Sequence, residues 1–320
     1  MRGAIRGNFF MLALIIYQIA AALVLSGAIR HLAPLSIETL LMFTAASQVI
    51  VFFPPVAVYA IMNRKRFSEL LPFKKINVMN MFFILLVVIA SQPIAIGMSG
   101  LSSIFFPNTV GDMVHAFNSV SYLATVVAVC VFPAIFEELP LRGIIQAEYK
   151  NSPLWMAALV NGLFFGIIHL SFQQFLYAFF LGIVLFYLVY ITGSILSAIL
   201  AHFLFNFIQV TISMLIVNNT LTAQTAAAEV PPASDFIIVW GVMIVLFMPV
   251  LGIILWAMTA YNKNLNRKPY DTKQEPAAFE NAPDKKITAA EHRASKNLWR
   301  FTFFAVLLVY AWFMIMMTMQ

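Results

Sequence analysis

Two adjacent glutamates, Glu137 and Glu138, stand deep inside the apolar stretch VCVFPAIFEELPLRG, and no other carboxylate of the chain is so placed. An ionisable side chain at membrane depth costs about 3 kcal/mol or more, and by default it marks a functional site. Two further polar anomalies follow: His169 in FGIIH, and His202 with Asn206 in HFLFN, each on its own apolar segment. A carboxylate partly withdrawn from water is suited to general-base work. A histidine can share an activated water or hold a metal, and a histidine with an asparagine can donate to a developing oxyanion. Those are the parts of a peptide-bond hydrolase. Covalent catalysis is disfavoured, because there is no Gly-x-Ser-x-Gly elbow and the sole cysteine, Cys130, reads as a small buried apolar residue. A His-Glu-x-x-His zinc helix is also lacking.

Spacing brings these residues together. The polar sequence QAEYKNSP turns one apolar segment back on the next, with Glu137 15 residues before Ser152 and His169 17 residues after it. At ~1.5 Å per helical residue both lie roughly 22–26 Å from the turn, so they share a depth. His202 matches that depth if the hairpin tip projects about 10 Å beyond the membrane. His202 and Asn206, Phe165 and His169, and Glu138 and Arg142 are each four apart and share a helix face. An ion pair between Glu138 and Arg142 leaves Glu137 free for another task. Pro133 and Pro140 bracket the acidic pair and deprive the carbonyls of Val129 and Phe136 of their usual donors. Distorted backbone at membrane depth is tolerated where it lines a cavity or is buried in protein, so a water-containing pocket is expected.

The elements that must position these groups are transmembrane helices. Of 320 residues 62% are hydrophobic and only 10% charged, with a mean hydropathy of +0.90, far from a soluble domain. Apolar runs long enough for a span occur at residues 9–29, 37–62, 78–98, 119–141, 153–171, 173–191, 194–217, 236–261 and 301–318. The expected fold is an all-α polytopic membrane protein of nine helices, with an eight-helix core and one appended C-terminal span. A β-barrel is disfavoured by the absence of period-2 alternation. Five segments are expected: residues 1–118, with three helices and an outer loop; 119–217, the catalytic core; 218–261, an outer loop and a helix; 262–300, a basic linker; and 301–320, the last span.

Charge sets the orientation. In a nine-span arrangement eighteen of the nineteen Lys and Arg fall on one side, Arg30 being the exception. Basic loops stay cytoplasmic, so the N-terminus is expected in the cytoplasm of a prokaryotic plasma membrane. The net charge of +6 serves topology and anionic lipids rather than a nucleic acid. The first apolar stretch exceeds a signal-peptide core and reads as an uncleaved anchor. His31, His115 and His292 fall in expected loops.

Taken together, Glu137-Glu138-x-x-x-Arg142, Phe165-x-x-x-His169 and His202-x-x-x-Asn206 resemble the EExxxR, FxxxH and HxxxN motifs of the CPBP intramembrane proteases, also called the Abi or CAAX protease family. The resemblance spans residues 119–217 and extends to type II CAAX prenyl endopeptidases. It implies that Glu137, assisted by His169, activates water, that His202 and Asn206 stabilise the oxyanion, and that Glu138 and Arg142 support the site. It leaves two options for a cofactor: a divalent metal such as Zn2+ held by Glu137, His169 and His202, or none. The implied substrate is a peptide or membrane-associated protein, lipidated or not, reached from the cytoplasm and inner leaflet. A non-proteolytic immunity or regulatory scaffold is the alternative. A proton- or cation-coupled transporter using Glu137 and Glu138 is a third reading, weakened by the lack of an internal repeat. Tyr122, Gln173, Gln174 and Gln209 are further polar residues available to a substrate.

Overall fold

The computed structural model describes residues 2–32, 35–64, 67–108, 116–222, 236–265 and 289–318. Among these residues there are nine principal helices and no strand: α1 (Arg2–Leu32), α2 (Ile37–Met62), α3 (Val78–Ser103), α4 (Tyr122–Glu148), α5 (Leu154–Ile168), α6 (Phe172–Thr192), α7 (Ile195–Thr222), α8 (Ile237–Asn264) and α9 (Ala289–Thr318). Most of the expected linker, residues 266–288, lies outside the described residues, as do His115 and most of the outer loop before α8. Helix starts follow their capping residues: the side chains of Ser36, Asn77 and Ser171 accept from the backbone N–H three residues on. Gly193, at φ 68°, ends α6 in the left-handed conformation that glycine adopts without strain.

Eight helices are long and apolar enough to cross a membrane, and the chain is a multi-pass membrane protein. The exception is α5. The run 153–171 reads as a span, yet its helix has only 15 residues, about 22 Å against a hydrocarbon core of about 30 Å. Pro153 precedes it, and it stops at His169, beyond which Leu170 takes a positive φ of 47°. A short helix is tolerated here because protein rather than lipid surrounds most of it, including Asn161, Phe164, Phe165 and Ile167, all fully buried. Lipid-facing character is clearest on α8, where Ile238, Val245, Ile253 and Trp256 are exposed.

Close helix contacts are made at glycines. A Cβ on Gly162 would meet Phe179 O and Ile183, and one on Gly182 would meet Phe165 Cβ and the Gly162 backbone, so α5 and α6 touch almost backbone to backbone. On α3, Gly97 and Gly100 receive Trp240 of α8 in the same way. The last helix, α9, lies along α1: Asn8 Nδ2 donates to Thr302 Oγ1 (3.2 Å), Phe303 stacks near Phe164, and Tyr310 packs on Phe172 and Phe175. Asn8 meets Thr302 at one end, and further along both helices Gln18 reaches Ile168 O and Tyr310 packs on Phe172, either side of the α5–α6 turn, so α1 and α9 run parallel.

A belt of buried polar contacts gathers one end of the bundle. Tyr149 donates its hydroxyl hydrogen to Asn8, Tyr59 donates to Glu148, and Arg6 pairs with Glu148 at 2.8 Å. Asn80 and Asn262 bond reciprocally at 3.0 and 2.8 Å, while Ser194 ties the α6–α7 turn to the backbone of Lys74. Arg6, Arg64, Lys74, Lys75, Lys150, Lys263, Lys296 and Arg300 flank these ties, so this is the basic end. Among the described residues, the other end has only Arg30, in the last turns of α1.

Candidate active site

Helix α4 is irregular where the chemistry is expected. It widens into turns with i→i+5 bonding at Val127–Val131 and Leu139–Ile145, separated by a short α-helical piece, Phe132–Phe136. Such wide turns inside helices recur at functional sites. Pro133 frees the carbonyl of Val129, and the side-chain amide of Asn206 on α7 donates to that oxygen at 3.3 Å. The backbone defect thereby becomes a bond between two site-bearing helices.

Glu138 is fully buried and engaged on two sides. Its Oε2 pairs with Arg142 Nε at 3.1 Å, and its Oε1 accepts from His202 Nδ1 at 2.9 Å. Arg142, also buried, donates to the carbonyl of Gly182 at 2.9 Å and sits 4.8 Å over the ring of Phe165. Buried charges persist only when paired and hydrogen-bonded. Phe165 is the platform of the site: the guanidinium lies on its face, and its centroid is 5.0 Å from that of His169 and 5.4 Å from that of His202, both rings edge-on.

Glu137 is arranged differently. Its Oε2 is buried and lacks a protein hydrogen-bond partner, while Nε2 of His169 and Nε2 of His202 each lie 4.0 Å away. His169 donates its Nδ1–H to Phe165 O at 2.7 Å, and His202 faces an acceptor-only carboxylate through Nδ1. Each imidazole in its neutral form therefore turns an Nε2 lone pair toward Glu137. Both Nε2 atoms approach the same carboxylate oxygen, and a water between them can donate to two of these three acceptors. The strained turn at Leu170 follows His169 directly and fixes where α5 ends.

The same donor types suit zinc, and the Nδ1 bonds are the usual outer support of metal-ligating histidines. The spacing does not suit it. With zinc bonds of about 2.0–2.1 Å, ligand atoms of a tetrahedral site stand roughly 3.3 Å apart, against 4.0 Å here. Two acceptors sharing one water stand roughly 4.5 Å apart at ordinary hydrogen-bond lengths. Among the described residues no three His, Cys, Asp or Glu are grouped to hold an ion. At 4.0 Å the spacing lies between the two, slightly nearer that of a shared water.

Glu137, His169, His202 and Asn206 line a cavity of about 840 Å3. Gln173, Gln174 and Gln209 line it too, whereas Tyr122 is tied to Thr211 at 2.8 Å and lies outside it. Sequence reasoning did not single out Gln18, Thr44, Gln48 or Ser99, which also face the cavity. The available signal was weak, a few uncharged polar residues on apolar helices. The stretches of α2, α3, α6 and α8 that line the cavity lie mostly toward the ends of those helices remote from the basic loops. Matched depths locate a site along the bundle but do not say which stretch of each helix lines it. Beyond the acidic pair on α4, Leu141, Ile144 and Ile145 are fully buried, and Gly143 is closed against Leu71.

Residues 119–208 match the family model described as Type II CAAX prenyl endopeptidase Rce1-like. This segment runs from just before α4 into α7 and contains all three motifs. No curated protein and no solved structure matches the chain.

Proposed function

We propose a mechanism for a chain whose residues 119–208 match the type II CAAX prenyl endopeptidase Rce1-like family model: direct attack of one water, held by Glu137 and His169 beside His202, on a peptide bond inside the bundle. The observation that carries it is the approach of His169 Nε2 and His202 Nε2 to the same oxygen, Glu137 Oε2, at 4.0 Å each. Glu137 takes a proton from the water as its oxygen bonds to the carbonyl carbon, and His169 holds the other hydrogen. The carbonyl oxygen becomes an oxyanion. His202, when protonated at both nitrogens, offers Nε2–H to it while Glu138 balances the imidazolium charge. Asn206 offers the second N–H of its amide, the first being bound to Val129 O. Glu137 then returns its proton to the amine nitrogen, the C–N bond breaks, and the second hydrogen of the water, held by His169, passes to the departing amine, so that a carboxylate and an ammonium leave. Glu138 and Arg142 are positioning residues, clamping His202 and Phe165. A metal would use Glu137, His169 and His202, but no step here is routed through one.

The test is cleavage of a quenched-fluorescent peptide library, lipidated and unlipidated, by purified protein in detergent. Cleavage that Glu137→Ala and His202→Ala abolish at equal folded yield supports the mechanism. Equal cleavage by wild type and both variants overturns it.

A further inference from the structure

We infer that Gln209 is a further substrate-binding residue of this site: its side-chain carbonyl accepts the backbone N–H of the residue whose carbonyl is attacked, so that Asn206 and Gln209 together hold that residue extended. This role presupposes the endopeptidase reading; the hydrogen bonds of α7 supply the rest.

Four polar side chains of α7 line the cavity: His202, Asn206, Gln209 and Ser213. Spacings of four, three and four residues put them on one helix face. His202 and Asn206, the oxyanion pair of the mechanism, begin that stripe, and Gln209 follows Asn206 on the next turn.

A second glutamine fixes the orientation of the Gln209 amide. Gln92 on α3 is buried and does not line the cavity, and its Nε2 donates to the backbone carbonyl of Phe205 at 3.3 Å. A carbonyl can only accept, so Gln92 Oε1 is the atom left for Gln209, whose Nε2 donates to it at 2.5 Å. Gln209 Oε1 is thereby turned away from Gln92. Gln209 is half-buried on the cavity wall, and among the described residues this oxygen has no protein partner and is not sealed in the interior. The carbonyl oxygens of Gln18, Gln48 and Gln173, by contrast, are buried in the walls and offer a substrate nothing. Asn206 is held as Gln209 is, with one amide hydrogen on Val129 O and the other free.

The wall thus offers a donor and, one turn on, an acceptor. In an extended chain the N–H and C=O of one residue point to the same side. A carbonyl held by Asn206 therefore brings its own residue's N–H within reach of a side chain that starts about 5–6 Å from that of Asn206. The pattern is one rung of an antiparallel ladder, with two side-chain amides in place of a strand.

The test uses the full chain, purified in detergent. The library peptide that Glu137→Gln protein binds most tightly is remade with each backbone N–H replaced in turn by an ester oxygen. Binding is followed by fluorescence anisotropy, and wild-type cleavage of the parent peptide locates the scissile bond. The ester at the residue whose carbonyl is cut is expected to weaken binding about 2–10-fold, the range of one hydrogen bond. Adding Gln209→Met should weaken binding of the parent by a similar factor and remove sensitivity to that ester alone. Indifference to that ester, or the same sensitivity with Gln209→Met, overturns the inference; a merely structural Gln209 would lower the thermal midpoint and leave the ester pattern unchanged. Gln92→Met releases Gln209 without altering the cavity wall and serves if Gln209→Met does not fold: sensitivity to the same ester should fall, and undiminished sensitivity refutes the clamp. Peptides that bind with the Gln209-dependent pattern but are never cut count against the mechanism and leave the clamp standing, whereas cleavage without that pattern does the reverse.

Discussion

At the basic end of the bundle Asn8, Asn80 and Asn262 use both halves of their side-chain amides on protein partners, whereas Gln18, Gln48 and Gln173, which line the cavity, each bury a carbonyl oxygen without one. Similar chemistry serves two purposes. Interhelical amide bonds in membranes contribute about 0.6 kcal/mol on average and up to about 1.7, enough in number to fasten one end. Unpartnered acceptors do the reverse: they give up stability beside the cavity. The boundary between the two regimes is the Glu137–Glu138 step. Glu138 faces the fastened side, with Arg142 and His202, and Glu137 faces the open one.

Substitutions can break that contrast, beginning with the largest effect. Glu137→Gln is expected to lower the cleavage rate by roughly 10²–10⁴-fold, the usual range for loss of a general base. Its thermal midpoint in detergent should stay near wild type, because Oε2 has no protein partner to lose. A large drop in midpoint would mean that Glu137 belongs to the fastened side. Arg142→Met strands the buried Glu138 and is expected to cost about 3–5 kcal/mol, read as poor folded yield and early unfolding. Combining it with Glu138→Gln should recover yield without recovering turnover, since His202 has then lost its carboxylate.

Smaller effects sharpen the comparison. Gln48→Leu removes a polar side chain from the cavity wall; KM should rise about 2–10-fold, the value of one hydrogen bond, with kcat and melting unchanged. Asn80→Leu at the fastened end should do the opposite, costing roughly 1 kcal/mol of stability and leaving KM alone. A double cycle with Asn262→Leu should be less than additive, because both changes remove the same pair of bonds. The smallest expected effect is none: with the 4.0 Å water geometry, incubation with 1,10-phenanthroline leaves cleavage intact. Loss of activity restored by added zinc would show that the three ligands close on an ion during turnover.

The motifs were legible because each is local. Glu138 and Arg142, His202 and Asn206, and Phe165 and His169 all follow from a four-residue period on a helix, and the proline-freed carbonyl of Val129 follows from the missing N–H of Pro133. The partners of those groups were not legible. Arg142 also binds Gly182 O, and Val129 O takes the Asn206 amide, across 40 and 77 residues of sequence. The shortness of α5 was hidden because 153–171 is continuously apolar; only the turn at His169 and Leu170 interrupts the helix. The last helix looked appended because a linker precedes it, yet it carries Thr302 and Phe303 into contact with α1 and α5.

The sequence by itself determined the membrane-spanning class, the basic side of the molecule and the seven residues of the three motifs, because hydropathy, charge and helical period are properties of adjacent residues. Tertiary structure alone decided that Glu138 is paired on both oxygens while Glu137 Oε2 has no protein hydrogen-bond partner, and which stretch of each helix lines the cavity. Those distinctions depend on which side chains from other helices arrive at each oxygen, and on which end of the bundle they fill.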